Sequence, residues 1–193
     1  MSKTKILTAI KKHQVPFVPL PQVPDFPQEE VDVCQKFIEI AAKSGTTCYS
    51  NNEGINWIIK NHFLNAKNIV APSLAGIGNM EVDSKTSVEV LRKIDLTILE
   101  ASIGVAENGA LWLSEKNCPH RVLPFITQHL ILLIDNHNIV SNMHQAYRKI
   151  SITANGFGVF IAGPSKTADI EQSLVIGAQG ARSLNVFLNN FNH

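Results

Sequence analysis

Cysteine is scarce in this chain of 193 residues, and the three cysteines, Cys34, Cys48 and Cys118, lie far apart in the sequence. They form no C-x-x-C pair, and three thiols cannot supply the four thiolate ligands of a typical zinc or iron–sulfur site. We therefore expect reduced, mostly buried thiols. We also expect no cofactor and no metal bound by this chain alone.

A surplus of charge of one sign is missing as well, because 17 basic residues balance 16 acidic ones and the net charge is +1. Nucleic acids and anionic membranes attract proteins through clustered positive charge, which this composition does not offer. The sequence also has no apolar run of membrane-spanning length and no apolar core of a signal peptide near Met1. These absences predict a cytoplasmic protein without nucleic acid or membrane partners.

Phosphate-binding motifs are absent too, since neither G-x-x-x-x-G-K-[ST] nor a G-x-G-x-x-G after a strand occurs. What the chain does have is 45% hydrophobic residues, enough for one continuous core. Proline is concentrated between Pro16 and Pro27, where a helix cannot continue. The predicted organisation is a short helix and proline-rich arm over residues 1–27, followed by a single α/β domain over residues 28–193.

The first part of the predicted domain contains a strand–helix–strand unit. Apolar residues recur at helical spacing over 28–44 and again over 53–64. Short β-rich segments at 46–49 and 68–71 flank the second of these helices. Such a crossover makes the two strands parallel and covers one face of their sheet.

Two uniformly apolar runs, Leu130–Ile134 and Gly158–Ala162, have the composition of strands buried on both faces, as in a parallel sheet. The spacing of apolar residues over Ile139–Ile150 predicts a helix, and further strands are expected at 96–99 and 186–188. The predicted fold class is α/β, with a mainly parallel sheet flanked by helices.

An Asn-Gly pair between two apolar runs, in Gly104–Leu113, predicts a tight β-hairpin around Glu107–Gly109. Polar residues are usual at hairpin tips, so Glu107 is either a solvated turn residue or a functional carboxylate. In the functional interpretation, Glu107 is a catalytic nucleophile or general base, with Asn108 and Gly109 beside it.

A second candidate site follows the Gly158–Ala162 run, where a Gly-Pro pair leads into a predicted helix start. The candidate ligand-binding residues of this segment are Gly163, Ser165, Lys166, Thr167 and Asp169. Backbone N–H groups at a helix start, with the hydroxyls and the lysine charge, are suited to a carboxylate or another anion. Simple helix capping by Ser165 or Thr167, with Asp169 and Glu171 in the first turn, is the structural alternative.

The remaining candidate ligand-binding residues are glycines and arginines. Gly177 and Gly180 allow a tight backbone path near the second site. Arg182 is expected to pair with an anion or with Asp169, and Arg121 to form a surface salt bridge or to clamp a carboxylate.

Four segments together resemble the lactate utilization protein C family, also called the LUD domain family: Gly104–Leu113, Arg121 with Pro124, Gly163–Glu171 and Gly177–Gly180. The Gly-Pro-Ser-x-Thr-Ala-Asp-Ile-Glu run is the most specific of them. The chain departs from the usual family pattern by having Asn-Gly-Ala110 after Glu107, where the family has Thr-Gly-Thr, and Gln179, where the family has histidine.

The resemblance implies a fold related to sugar-phosphate isomerases and CoA-transferases. It also implies a role in oxidising L-lactate to pyruvate as the subunit without clusters, alongside separate iron–sulfur subunits. The Glu-Asn-Gly order is similar to the active-site glutamate segment of CoA-transferases, so an enzyme acting on a small carboxylate or acyl-CoA through Glu107 is one alternative. A small-ligand-binding regulatory subunit is the other.

Overall fold

The structure, a computed structural model, describes residues 2–22, 24, 32–50, 54–150, 156–166, 176–177 and 180–189. Within these ranges the helices are α1 (Lys3–Lys12), α2 (Val33–Ser44), α3 (Ile55–His62), α4 (Val88–Leu91), α5 (Leu123–Ile126) and α6 (Met143–Lys149). The strands are β1 (Thr47–Tyr49), β2 (Ile69–Val70), β3 (Leu96–Glu100), β4 (Ile103–Val105), β5 (Ala110–Ser114), β6 (His129–Asp135), β7 (Ile139–Val140), β8 (Gly158–Ile161) and β9 (Ser183–Asn189).

Five strands form a sheet in the order β1-β9-β6-β3-β2, and every neighbouring pair in it is parallel. Its central strand β6 alternates between two hydrophobic clusters, because successive side chains of a strand point to opposite faces. Leu130, Leu132 and Ile134 join one cluster, whereas Ile131 and Leu133 join the other. Burial on both faces explains the uniformly apolar run, and the prediction of a mainly parallel α/β fold is confirmed.

The two faces of the parallel sheet are covered differently. On one face, Ile58 of α3 packs with Ile98 and Phe187 of the sheet. On the other face, Phe37 and Ala41 of α2 pack with the sheet and with Leu111 of a second sheet. Helix α2 therefore packs with one face between elements of both sheets.

The second sheet has four strands in the order β7-β4-β5-β8. Strands β4 and β5 form the predicted antiparallel hairpin, with Val105 opposite Ala110, so four residues connect them. The Asn-Gly pair occupies the last two positions of this connection. The connection is therefore longer than the two-residue turn that the pair predicts. Helix α6 covers this sheet, where Ala146 packs beside Trp112.

Two predictions for individual segments are wrong. Strand β8 does not belong to the parallel sheet, because it pairs antiparallel with β5 at the edge of the second sheet and is only half-buried. Ile139 and Val140 are a strand paired with β4, and α6 begins only at Met143 after the Asn142 cap. Both errors arise because a short apolar run does not reveal which sheet or element its residues pack against.

The N-terminal segment makes little contact with the rest of the described chain. Helix α1 forms where the sequence predicts it, but none of its residues is buried. In the arm that follows, Phe17 is 91% exposed. Helix α2 begins at Val33 behind the Asp32 cap, and the predicted helical residues 28–31 lie outside the described residues. Among the described residues, no helix is both long and apolar enough to span a bilayer.

Candidate functional site

The Glu107 carboxylate is exposed at the tip of the β4–β5 hairpin, and it contacts the start of α6. Its Oε2 accepts a hydrogen bond of 2.9 Å from the backbone N–H of Met143, the first residue of that helix. A carboxylate at this position satisfies one of the N–H groups that a helix start leaves unpaired. The described contact of Glu107 is therefore a tertiary helix cap, which joins the hairpin to α6.

The rest of the hairpin tip is held by its own backbone. Asn108 Oδ1 accepts from the N–H of Ala110 at 3.0 Å, and the N–H of Gly109 donates to the carbonyl of Val105 at 2.9 Å. Asparagine commonly closes turns in this way. Asn108 therefore shapes the turn that presents Glu107 to Met143.

Gly109 is buried against α2 and has a φ of +68°. A Cβ atom at this position would lie 2.9 Å from Ala41 Cα and 3.0 Å from the Ala41 nitrogen. Backbone atoms cannot rotate out of the way as a flexible side chain can. Both the left-handed conformation and the close approach therefore require glycine.

The Gly163–Lys166 turn packs against the end of the same helix. Gly163 has a φ of +73°, and a Cβ there would lie 2.7 Å from the carbonyl oxygen of Ser44. Next to it, a Cβ on Gly45 would lie 3.4 Å from Pro164 Cδ. Ala41 and Ser44 are three residues apart, about 4.5 Å along the helix. Helix α2 thus brings the two predicted segments to neighbouring contact points.

Backbone hydrogen bonds join the turn to the predicted glycines. The N–H of Ser165 donates to Ala181 at 2.9 Å, and the N–H of Gly177 donates to the carbonyl of Ser165 at 2.9 Å. A Cβ on Gly180 would lie 3.0 Å from Ser165 Cβ. Lys166 forms an antiparallel bridge with Ile176. Thr167, Asp169, Glu171 and the predicted helix start lie outside the described residues.

This turn lies at the amino ends of the parallel strands, because its partners Gly45 and Ala181 each lie two residues before the start of β1 and β9. Open α/β sheets usually bind ligands at the opposite, carboxyl edge. The expectation that the Gly163 turn follows a strand of the parallel sheet is thus wrong, since that strand is β8 of the second sheet. A ligand-binding role for the turn remains a prediction.

Arg121 is separate from these segments. Its Nε donates to Glu115 Oε1 at 2.7 Å, and its guanidinium carbon lies 5.5 Å from the centre of the Phe157 ring. The hydrogen bond to Glu115, together with the negative charge of that residue, raises the pKa of Arg121. With 60% of its side chain exposed, Arg121 forms a surface salt bridge with Glu115. A role in clamping a carboxylate ligand stays a prediction.

A small cleft at the carboxyl edge of the parallel sheet was not foreseen from the sequence. Its cavity is about 230 Å³ and is bounded by Ser73, Glu100, Lys116 and Asn117. The amide of Asn117 donates to the backbone oxygen of Glu100 at 3.1 Å and so fixes one wall. None of the predicted site residues borders this cleft.

Arg182 lies in another cleft, at the amino edge of the parallel sheet, with a cavity of about 300 Å³. His62, Asp95 and His129 share this cleft with it. His129 is not among the residues that the sequence predicts for a site. It directly precedes the apolar run Leu130–Ile134, and this position indicates that it lies where a buried strand begins.

The thiols are free, with Cys118 buried and Cys34 and Cys48 half-buried. Burial raises the pKa of both Cys48 and Cys118 to about 11, so both remain protonated near neutrality. Among the described residues, no three His, Cys, Asp or Glu side chains are grouped as a metal site would require.

The fold is thus a parallel α/β sheet to which a small mixed sheet is joined through α2 and the β4–β5 hairpin. A match to the LUD domain covers residues 4–188. The chain therefore belongs to the LUD domain family, as the sequence motifs indicate.

Proteins similar to this chain include several that are named lactate utilization protein C. The chain is 37% identical over 103 residues to lactate utilization protein C of Shouchella clausii, covering 51% of this chain and 45% of that protein. It is 28% identical over 138 residues to lactate utilization protein C 1 of Bacillus mycoides, covering 68% and 57%. The chain thus matches about half the length of such relatives.

A solved structure confirms the fold. The crystal structure of a DUF162 family protein from Deinococcus radiodurans superposes with a TM-score of 0.62 over 84% of this chain and 99% of that one. The sequence identity is 17%, so this likeness concerns the fold alone.

Proposed function

We propose that the chain takes part in L-lactate utilization, as the component without clusters of a system that oxidises L-lactate to pyruvate. The similarity to proteins named lactate utilization protein C supports this role. With three dispersed cysteines the chain cannot by itself ligate a four-thiolate cluster, so the electrons from lactate pass to iron–sulfur subunits in this proposal.

The observation that favours a structural role for Glu107 over a catalytic one is its hydrogen bond with the backbone N–H of Met143. A carboxylate that caps a helix from another element contributes to the shape of the protein, and it is not held ready for attack on a substrate. In the alternative enzyme, Glu107 acts on a small carboxylate or acyl-CoA through Oε1, since Oε2 accepts from Met143.

Deletion of the gene and affinity purification test the proposal together. We expect deletion to abolish growth on L-lactate while leaving growth on pyruvate intact. We also expect the tagged full chain, isolated from cells grown on L-lactate, to carry iron and acid-labile sulfide on co-purifying subunits. Normal growth of the deletion strain on L-lactate would contradict the role, and a chain isolated without any iron–sulfur protein would contradict the assembly.

A further inference from the structure

The cleft that contains Arg182 is formed where β3, β6 and β9 begin side by side in register. The residues at this edge are joined by backbone hydrogen bonds. The N–H of His129 donates to Asp95 at 2.9 Å, and the N–H of Arg182 donates to Gln128 at 2.8 Å. Neighbouring strands are about 4.8 Å apart, so the backbones of the three strand starts lie within about 10 Å of one another. The side chains of Asp95, His129 and Arg182 line one cleft at this edge.

His129 is fixed by contacts behind the cleft. Its Nδ1 lies 2.8 Å from Ser183 Oγ, which also accepts a hydrogen bond of 3.0 Å from the amide of Asn185. The ring packs against Phe63, with a distance of 5.3 Å between ring centres. When Ser183 donates to Nδ1, the imidazole proton resides on Nε2, which has no hydrogen-bond partner among the described residues.

The charge state of His129 suits a hydrogen-bond donor to an anion. Burial lowers its pKa below the ordinary 6.5, and the positive charge of Arg182 lowers it further, while Asp95 acts in the opposite direction. The ring is therefore neutral at neutral pH and carries one N–H for donation.

Arg182 is exposed, and within the described parts of the chain its guanidinium has no carboxylate partner. Asp95 is the acidic residue in the cleft, but its Oδ2 already accepts backbone N–H groups from Lys67 and Asn68, each at 2.9 Å. Asp95 is thereby anchored to the loop before β2. Within the described part of the chain, the positive charge of Arg182 is thereby left for a ligand.

We propose that this cleft is a binding site for a small carboxylate anion. The guanidinium of Arg182 holds the carboxylate through its planar fork, and Nε2 of His129 donates to a second ligand oxygen, such as an α-hydroxyl or α-keto group. The choice of L-lactate and pyruvate as probes rests on the proposed function, whereas the site itself rests on the geometry of the three strand ends.

Isothermal titration of the purified full chain in low-salt buffer tests the site, with L-lactate, pyruvate, acetate and sulfate as the probes. We compare the wild type with Arg182→Gln and Arg182→Lys, and use Arg148→Gln on α6, which packs on the second sheet, as the matched control. Because the variant loses a charge-assisted hydrogen-bond pair, Arg182→Gln should weaken binding at least about tenfold.

The expected result is saturable binding of L-lactate or pyruvate to the wild type and to Arg148→Gln, with Arg182→Lys between the wild type and Arg182→Gln. If Arg182→Gln does not fold, Arg182→Lys and His129→Gln provide the same comparison. Equal affinity in the wild type and every folded variant at these positions would overturn the proposal. So would equal competition by sulfate, which would mean an adventitious ion only, or the lack of saturation by any carboxylate.

This result is independent of the proposed function. A deletion strain that does not grow on L-lactate supports the role in lactate utilization even if no carboxylate binds in the cleft. Conversely, carboxylate binding that depends on Arg182 supports the site even if the deletion strain grows normally on L-lactate.

Discussion

Gly109→Ala tests most sharply how the hairpin is attached to α2. The substitution forces alanine into a φ of +68° and places its Cβ 2.9 Å from the backbone of Ala41. The left-handed conformation costs about 1–2 kcal/mol for a residue other than glycine, and overpacking against backbone costs about 1–3 kcal/mol more. We expect a total loss of about 2–5 kcal/mol.

Gly76→Ala is the matched control, because Gly76 has a similar φ of +78° but a Cβ there meets no atom within 4 Å. It should lose only the conformational part, about 1–2 kcal/mol. For a chain of this size each kcal/mol shifts Tm by about 2–4 °C. Thermal unfolding followed by circular dichroism should therefore show a Tm loss of roughly 10 °C for Gly109→Ala and roughly 5 °C for Gly76→Ala. Equal losses would refute the close packing of the hairpin on Ala41.

Two further predictions concern the thiols and Glu107. Because burial raises the pKa of Cys48 and Cys118 from 9.0 to about 11, their contribution to stability is complete below pH 9 and is lost as the pH rises towards 11. The urea midpoint should fall across this range less in the Cys48→Ala/Cys118→Ala variant than in the wild type, and parallel pH profiles would argue against buried thiols. Glu107→Ala should lose about 0.5–2 kcal/mol of stability in urea unfolding, as the loss of a helix cap does, whereas Glu107→Gln keeps an acceptor for the Met143 N–H and should lose less. Unchanged stability in Glu107→Ala would show that the cap contributes nothing.

The sequence predicts the parallel sheet well where burial on both faces dictates composition. Leu130–Ile134 is such a case, since its alternate residues enter two different cores. The Asn-Gly pair likewise predicts the antiparallel hairpin correctly, although the connection has four residues where the pair predicts two. Ile139 and Val140 were assigned to a helix, since their pairing with β4 is a long-range contact that spacing does not encode.

The candidate site was harder to predict because its residues come together only through tertiary contacts. Gly109 and Gly163 are far apart in the sequence, and their shared packing on α2 appears only in the folded chain. The partner of Glu107, the N–H of Met143, is a backbone group that no side-chain motif marks. The sequence predicts that Arg182 pairs with an anion or with Asp169, whereas the position of His129 near it depends on the register of β6 and β9.

Pyruvate formation from L-lactate in cell extracts tests the central claim most directly. Extract of the deletion strain should form no pyruvate from L-lactate, and addition of the purified wild-type chain should restore it. Glu107→Gln should restore it equally, because the amide oxygen still accepts from Met143 but is a poor nucleophile and base. Full activity without the chain would contradict a role in L-lactate oxidation, and a folded but inactive Glu107→Gln would show that Glu107 is catalytic.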